Sequence, residues 1–130
     1  MVASRVQIPY SLVLFLLTIA IVNALAGMHS WYWTMRWFDM PMHFAGGAWL
    51  AFFGVWWYYT RKGLIPSSFA TLILVCVSFA VTVGVLWEVY EGIVGLITVG
   101  HVNAWRDTVS DIHLDILGSL FVATAVWIRR

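Results

Sequence analysis

An all-α, membrane-embedded bundle of about four transmembrane helices, with an interfacial segment between the first and second, is the architecture this sequence predicts. Three observations predict it. Hydrophobic residues make up 62% of the 130-residue chain and charged residues 10%, with a mean hydropathy of +0.88, whereas soluble domains carry about a quarter charged residues. Four apolar stretches are each long enough to cross about 30 Å of hydrocarbon, which takes about 20 helical residues. Aromatic residues gather at the ends of those stretches, where membrane proteins place them.

The stretches fall at about 9–26, 41–59, 67–89 and 108–128 of one integral membrane domain. Pro9 suits an opening helical turn. The second stretch ends in Trp56-Trp57-Tyr58-Tyr59, an interfacial belt, and the third can run on toward Val99. Residues 27–38 hold Trp31, Tyr32, Trp33, Trp37 and Phe38 and read as a segment lying at the interface. Arg5, the apolar run 12–22 and Ala24-Leu25-Ala26 also fit a secretory signal peptide; a retained helix is the expectation. Cys76 is the one cysteine, so no intrachain disulfide forms. A net charge of +1 says nothing about nucleic acid, but the sequence has no basic stripe to bind a phosphate backbone, so no nucleic-acid partner is expected.

Basic residues set the orientation. With both termini on one side, that side carries Arg5, Arg61, Lys62, Arg129 and Arg130, and the other only Arg36 and Arg106. This division places both termini in the cytoplasm, with the segments around Trp31 and His101 facing outward. His29 and His101 then read as interfacial, and the nine tryptophans as belt and packing residues.

All six carboxylates, Asp39, Glu88, Glu91, Asp107, Asp111 and Asp115, fall near the outward ends of the second, third and fourth helices. Acids serving solubility alone would be spread over both faces. Asp39 and His43 are four residues apart, Glu88 and Glu91 three apart, and Asp107, Asp111 and Asp115 step by four. Such spacings put side chains on one helical face. Gly47 and Gly54 share the His43 face, Gly84 and Gly92 that of Glu88, and Gly118 that of the aspartates. Small residues let membrane helices approach closely, so these faces are expected to meet in one outward pocket. His113 projects elsewhere.

Charge within a membrane costs roughly 2.5–3.5 kcal/mol per group on insertion scales, and its default reading is functional. Clustered carboxylates need a divalent cation, a shared proton, or pairing with Arg36, Arg106 and His43. His43, Glu88, Asp111 and Asp115 are the candidate catalytic residues, and Glu88, Glu91, Asp111 and Asp115 the candidate metal ligands. Asp and Glu with His suit Mg²⁺, Mn²⁺, Ca²⁺ or Zn²⁺. Bland alternatives stand beside these. Asp39, just before Pro41, and Asp107 also read as helix N-caps, and the whole set as a structural ion-pair network.

The pieces Asp39-Met-Pro-Met-His43-Phe-Ala-Gly46-Gly47, Glu88-Val-Tyr-Glu91 and Arg106-Asp107…Asp111…Asp115-Ile-Leu-Gly118 resemble the VanZ-like and YjdF-type small membrane proteins. The resemblance covers roughly residues 39–118. It departs from the VanZ-like pattern where that pattern has Lys after the first Asp, Gln at Glu91 and, in many members, Asn at Asp115. It implies a bacterial inner-membrane protein and supports these site positions.

Three functions compete. One is a metal-dependent enzyme acting on a lipid-linked or cell-envelope substrate, with a metal polarising a phosphoryl or acyl oxygen and His43 as acid or base. A second is a protein that binds or transports a cation or amphiphile, which with four helices requires a homo-oligomer. The third is an accessory subunit of a larger membrane assembly. No nucleophile elbow or phosphate-cradling loop is present in the sequence.

Overall fold

The computed structural model describes residues 7–35, 37–98 and 104–129. Four long helices and one short one are found among them: α1 (Tyr10–Met28), α2 (Trp31–Thr34), α3 (Asp39–Tyr58), α4 (Phe69–Thr98) and α5 (Ala104–Ile128), with a 3-10 turn at Thr60–Lys62 between α3 and α4. Three of these, α1, α4 and α5, are long and apolar enough to cross a membrane. The 20-residue α3 has the length, but its Trp, Tyr, Gly and His residues dilute its hydropathy. The third apolar stretch runs on past Val89 toward Val99, as one helix to Thr98.

Each helix is bounded by local chemistry. Pro9, at φ −57° and ψ 134°, precedes α1; proline at a helix start removes a donor that has no intrahelical partner anyway. Gly63 ends the 3-10 turn at φ +65°, a left-handed conformation that favours glycine. Ser68 Oγ accepts the Thr71 amide at 3.1 Å, satisfying one of the free donors at the start of α4. Arg61 and Lys62 lie over the rings of Trp57 and Tyr58 at 4.2 and 4.8 Å.

Helix α3 packs on all three other long helices. Its contacts with α5 advance in parallel: His43 lies beside Asp111, Gly47 meets Asp115, and Ala48 meets Gly118. Against α4 they advance in reverse, with His43 beside Glu88 and Gly54 against Phe79. The α3–α5 crossing is a backbone contact. A Cβ on Gly47 would fall on the Asp115 backbone, and one on Gly118 on the Phe44 carbonyl. Toward the other end of the bundle, Ala51, Tyr59, Leu72, Cys76, Val122 and Ala123 form a buried apolar cluster. Outside, Leu14, Leu17 and Ile21 of α1, Leu74, Leu86 and Ile93 of α4, and Leu117 and Phe121 of α5 are exposed. Apolar surface this extensive matches hydrocarbon rather than water.

Helix α1 joins the bundle through α3, where Trp49 Nε1 donates to the Leu12 carbonyl at 2.8 Å. At its other end the Tyr32 hydroxyl donates to Asn23 Oδ1 at 2.6 Å, tying α2 back onto α1.

Candidate functional site

The equal four-residue steps of His43/Gly47 and Asp111/Asp115 align because α3 and α5 run parallel and touch through glycine. That alignment brings a single imidazole among four carboxylates. His43 Nε2 lies 3.6 Å from Asp39 Oδ1, 3.8 Å from Asp111 Oδ2 and 3.9 Å from Glu88 Oε1, while Nδ1 lies 3.5 Å from Asp115 Oδ1. The side chains of His43, Glu88, Asp111 and Asp115 are all at least nine-tenths buried, and Asp39 is about one-third exposed at 32%. Glu88 Oε1 and Asp115 Oδ2 are buried without a hydrogen-bond partner.

The structure therefore brings His43, Glu88, Asp111 and Asp115 together. Two further groupings emerge. Asp39, His43 and Asp111, and separately His43, Glu88 and Glu91, each offer one donor atom, all within 4.8 Å of one another. Both sets use His43. Asp115 belongs to neither, standing instead at the opposite ring nitrogen. Donors bound at about 2.1 Å to one zinc ion stand about 3.5 Å apart, so small side-chain rotations close either set. Glu91 is exposed at the mouth of the site.

The capping readings are corrected. Asp39 is the first residue of α3 with Phe38 at the cap position and no side-chain cap bond. Its charge still suits the positive end of the helix, while its carboxylate faces His43. Asp107 is the fourth residue of α5 and exposed. His113 is exposed, its Nδ1 2.6 Å from the Val109 carbonyl, so it lies outside the site as its spacing implied. Pairing with Arg36, like any role for His101, falls outside the described residues. Arg106 is exposed, and among the described residues every ion pair of the cluster is made by His43.

Beside the cluster is a cleft of about 400 Å³ between α1, α3 and α4, within the range of about 300–1,000 Å³ for small-molecule sites. Asn23, Tyr32, Asp39, His43, Glu91 and Asp115 mark its polar end, and Leu16, Ile19, Leu50 and Val83 its apolar end. Sequence reasoning missed the contribution of α1. Its one signal is Asn23, the single amide in the first apolar stretch.

No curated protein and no solved structure matches the chain. The family model described as "Predicted membrane protein (DUF2238)" matches residues 1–130, in keeping with the apolar exterior and the three candidate spans, and the chain belongs to that family.

Proposed function

We propose that this protein is a membrane-embedded divalent-cation site centred on His43 Nε2, with Asp39, Glu88, Glu91 and Asp111 supplying carboxylate oxygens. The observation that carries the reading is charge imbalance. Four carboxylates surround one imidazole, and among the described residues no Lys or Arg pairs with them. One ring neutralises at most one charge, and several anions in low dielectric repel strongly. A carboxylate on the far nitrogen of a ligating histidine is the usual partner that fixes its tautomer and raises its basicity. Asp115 has that place at Nδ1. A mixed imidazole and carboxylate set favours Zn²⁺ or Mn²⁺. Bound there, such an ion would polarise a phosphoryl or acyl oxygen or activate water, which is the chemistry of an enzyme acting on a lipid-linked or envelope substrate.

The same reading takes α3 as a fourth crossing, since a helix enclosed by α1, α4 and α5 tolerates polar residues. It takes both termini as cytoplasmic in a bacterial inner membrane, the VanZ-like resemblance as kinship, and the chain as one membrane domain. Metal analysis of purified protein reconstituted with Zn²⁺ or Mn²⁺ tests the core of it. About one ion per chain is expected in wild type and in Asp107→Asn, with loss in His43→Ala and Asp111→Asn. Wild type without bound metal overturns the reading.

A further inference from the structure

The cleft differs chemically from the metal set, and one atom connects the two. Asp115 Oδ1 faces His43, while Oδ2 is buried, has no hydrogen-bond partner, and lies where a Cβ on Gly84 would stand. Asp115 and Gly84 both line the cleft. An unpaired carboxylate oxygen in a dry site loses its water without replacement, which costs several kcal/mol. It therefore calls for a donor. Among the described residues the cleft wall carries Asp39, Glu91 and Asp115 against His43 and no Lys or Arg. A divalent ion at Nε2 would still leave acid in excess once Glu88 and Asp111 are counted, so an anionic head is repelled in either case.

The remainder of the cleft is shaped for a hydrocarbon chain. From Asp115 it continues past Leu50, Ile19 and Leu16. The α4 lining of the whole cleft runs from Val83 to Glu91, about 12 Å at helical rise, with Asp115 against Gly84 near its Val83 end. Leu16, Val83 and Trp87 line it yet remain 43%, 42% and 44% exposed. Its side is thus open at mid-helix, between α1 and α4, where a bilayer supplies the ligand laterally.

We infer that this cleft binds a bilayer amphiphile, with one alkyl chain between α1 and α4 and a primary ammonium head donating to Asp115 Oδ2. The inference goes beyond the metal reading and does not require it. Terminally brominated dodecylamine, which quenches the tryptophans at the cleft, is the probe, with brominated dodecyl phosphate as its comparison, both titrated into the full chain in nonionic detergent.

Saturable quenching by the amine, with binding of the phosphate at least about tenfold weaker, or about 1.4 kcal/mol, is the expected result. Gly46 lines the cleft, and a Cβ there meets nothing within 4 Å. Gly46→Leu therefore fills the cleft while improving helix propensity. It should abolish quenching and leave metal content at the wild-type value, and Ala20→Leu should do the same from the opposite wall. Equal affinity for amine and phosphate, or wild-type quenching in both filled variants, overturns the inference. Failure of the cation reading shows separately, as metal-free wild type with amine binding intact.

Discussion

The two halves of the α3–α4–α5 bundle are packed by the same helices with opposite chemistry. In one half Leu72, Cys76, Val122 and Ala123 have no exposed surface, and among the described residues only Trp56 Nε1 and the Tyr59 hydroxyl are side-chain polar atoms buried there without a partner. In the other half His43, Glu88, Asp111 and Asp115 occupy the equivalent interior. Between them Ser119 is fully buried with its hydroxyl returned to the Ile116 carbonyl at 2.7 Å. The apolar half holds the helices together, and the glycine crossing of α3 and α5 carries that geometry into the polar half. Stability and site chemistry are thereby separated along the bundle axis.

The largest effect should come from breaking the crossing that joins the halves. Gly118→Leu drives a side chain into the Phe44 carbonyl. Overpacking of a core costs about 1–3 kcal/mol where side chains can yield; here the obstacle is backbone, and the expected outcome is loss of monodisperse protein by size-exclusion chromatography. Recovery of a folded, metal-binding variant would show that α3 and α5 can part without losing the site.

Next in size is the apolar half. Leu72→Ala in a soluble core would cost about 2–5 kcal/mol. In a bilayer the separated helix still lies in hydrocarbon, so only the packing part is lost and about 2 kcal/mol is expected at the low end of that range. Thermal melts should show this destabilisation with metal content unchanged. Coupled loss of metal would deny the separation of the halves.

In the polar half the sign itself depends on the ion. Without metal, Asp111→Asn removes repulsion and should raise the melting temperature above that of EDTA-treated wild type. With Zn²⁺ or Mn²⁺ present it removes a ligand and should melt below wild type. An EDTA-insensitive wild type together with a stabilised variant under both conditions would replace the cation with a shared proton.

The smallest effect concerns α1. Trp49→Phe deletes the donor to the Leu12 carbonyl and should cost about 1 kcal/mol while loosening amine binding in the cleft. Orientation is tested alongside. In a Cys76→Ala background, Trp105→Cys should label from outside intact cells and Leu64→Cys should not; the reverse pattern inverts the topology.

Much of this architecture was legible because helical spacing is a strong code. The four-residue steps of Asp39/His43 and Asp111/Asp115, with glycines on the same faces, were enough to bring those side chains together. Spacing could not say which ring nitrogen of His43 each carboxylate would meet, because that depends on how far α5 slides along α3, which the Gly47 and Gly118 contacts set. The cleft was hidden for another reason. Helix α1 is apolar on nearly every side, so apart from Asn23 little in its pattern distinguishes the face toward α4 from the face toward lipid. The fourth crossing stays a proposal because the tryptophans, glycines and His43 that suit α3 to an enclosed position also lower its hydropathy.

The distribution of the site residues along the chain has a consequence for biosynthesis. Asp39 and His43 leave the ribosome first, Glu88 follows 45 residues after His43 with Glu91 just behind it, and Asp111 and Asp115 come last. Until α5 arrives, α3 and α4 present their acids with His43 as the one basic partner among the described residues, each bearing an insertion cost of roughly 2.5–3.5 kcal/mol. The nascent chain is therefore least content in the bilayer just before its final helix, and α5 closes both the glycine crossing and the charge site in a single docking event. A ribosome-stalled chain ending at residue 100 should remain accessible to the insertion machinery or its quality-control protease, whereas one ending beyond α5 should be released.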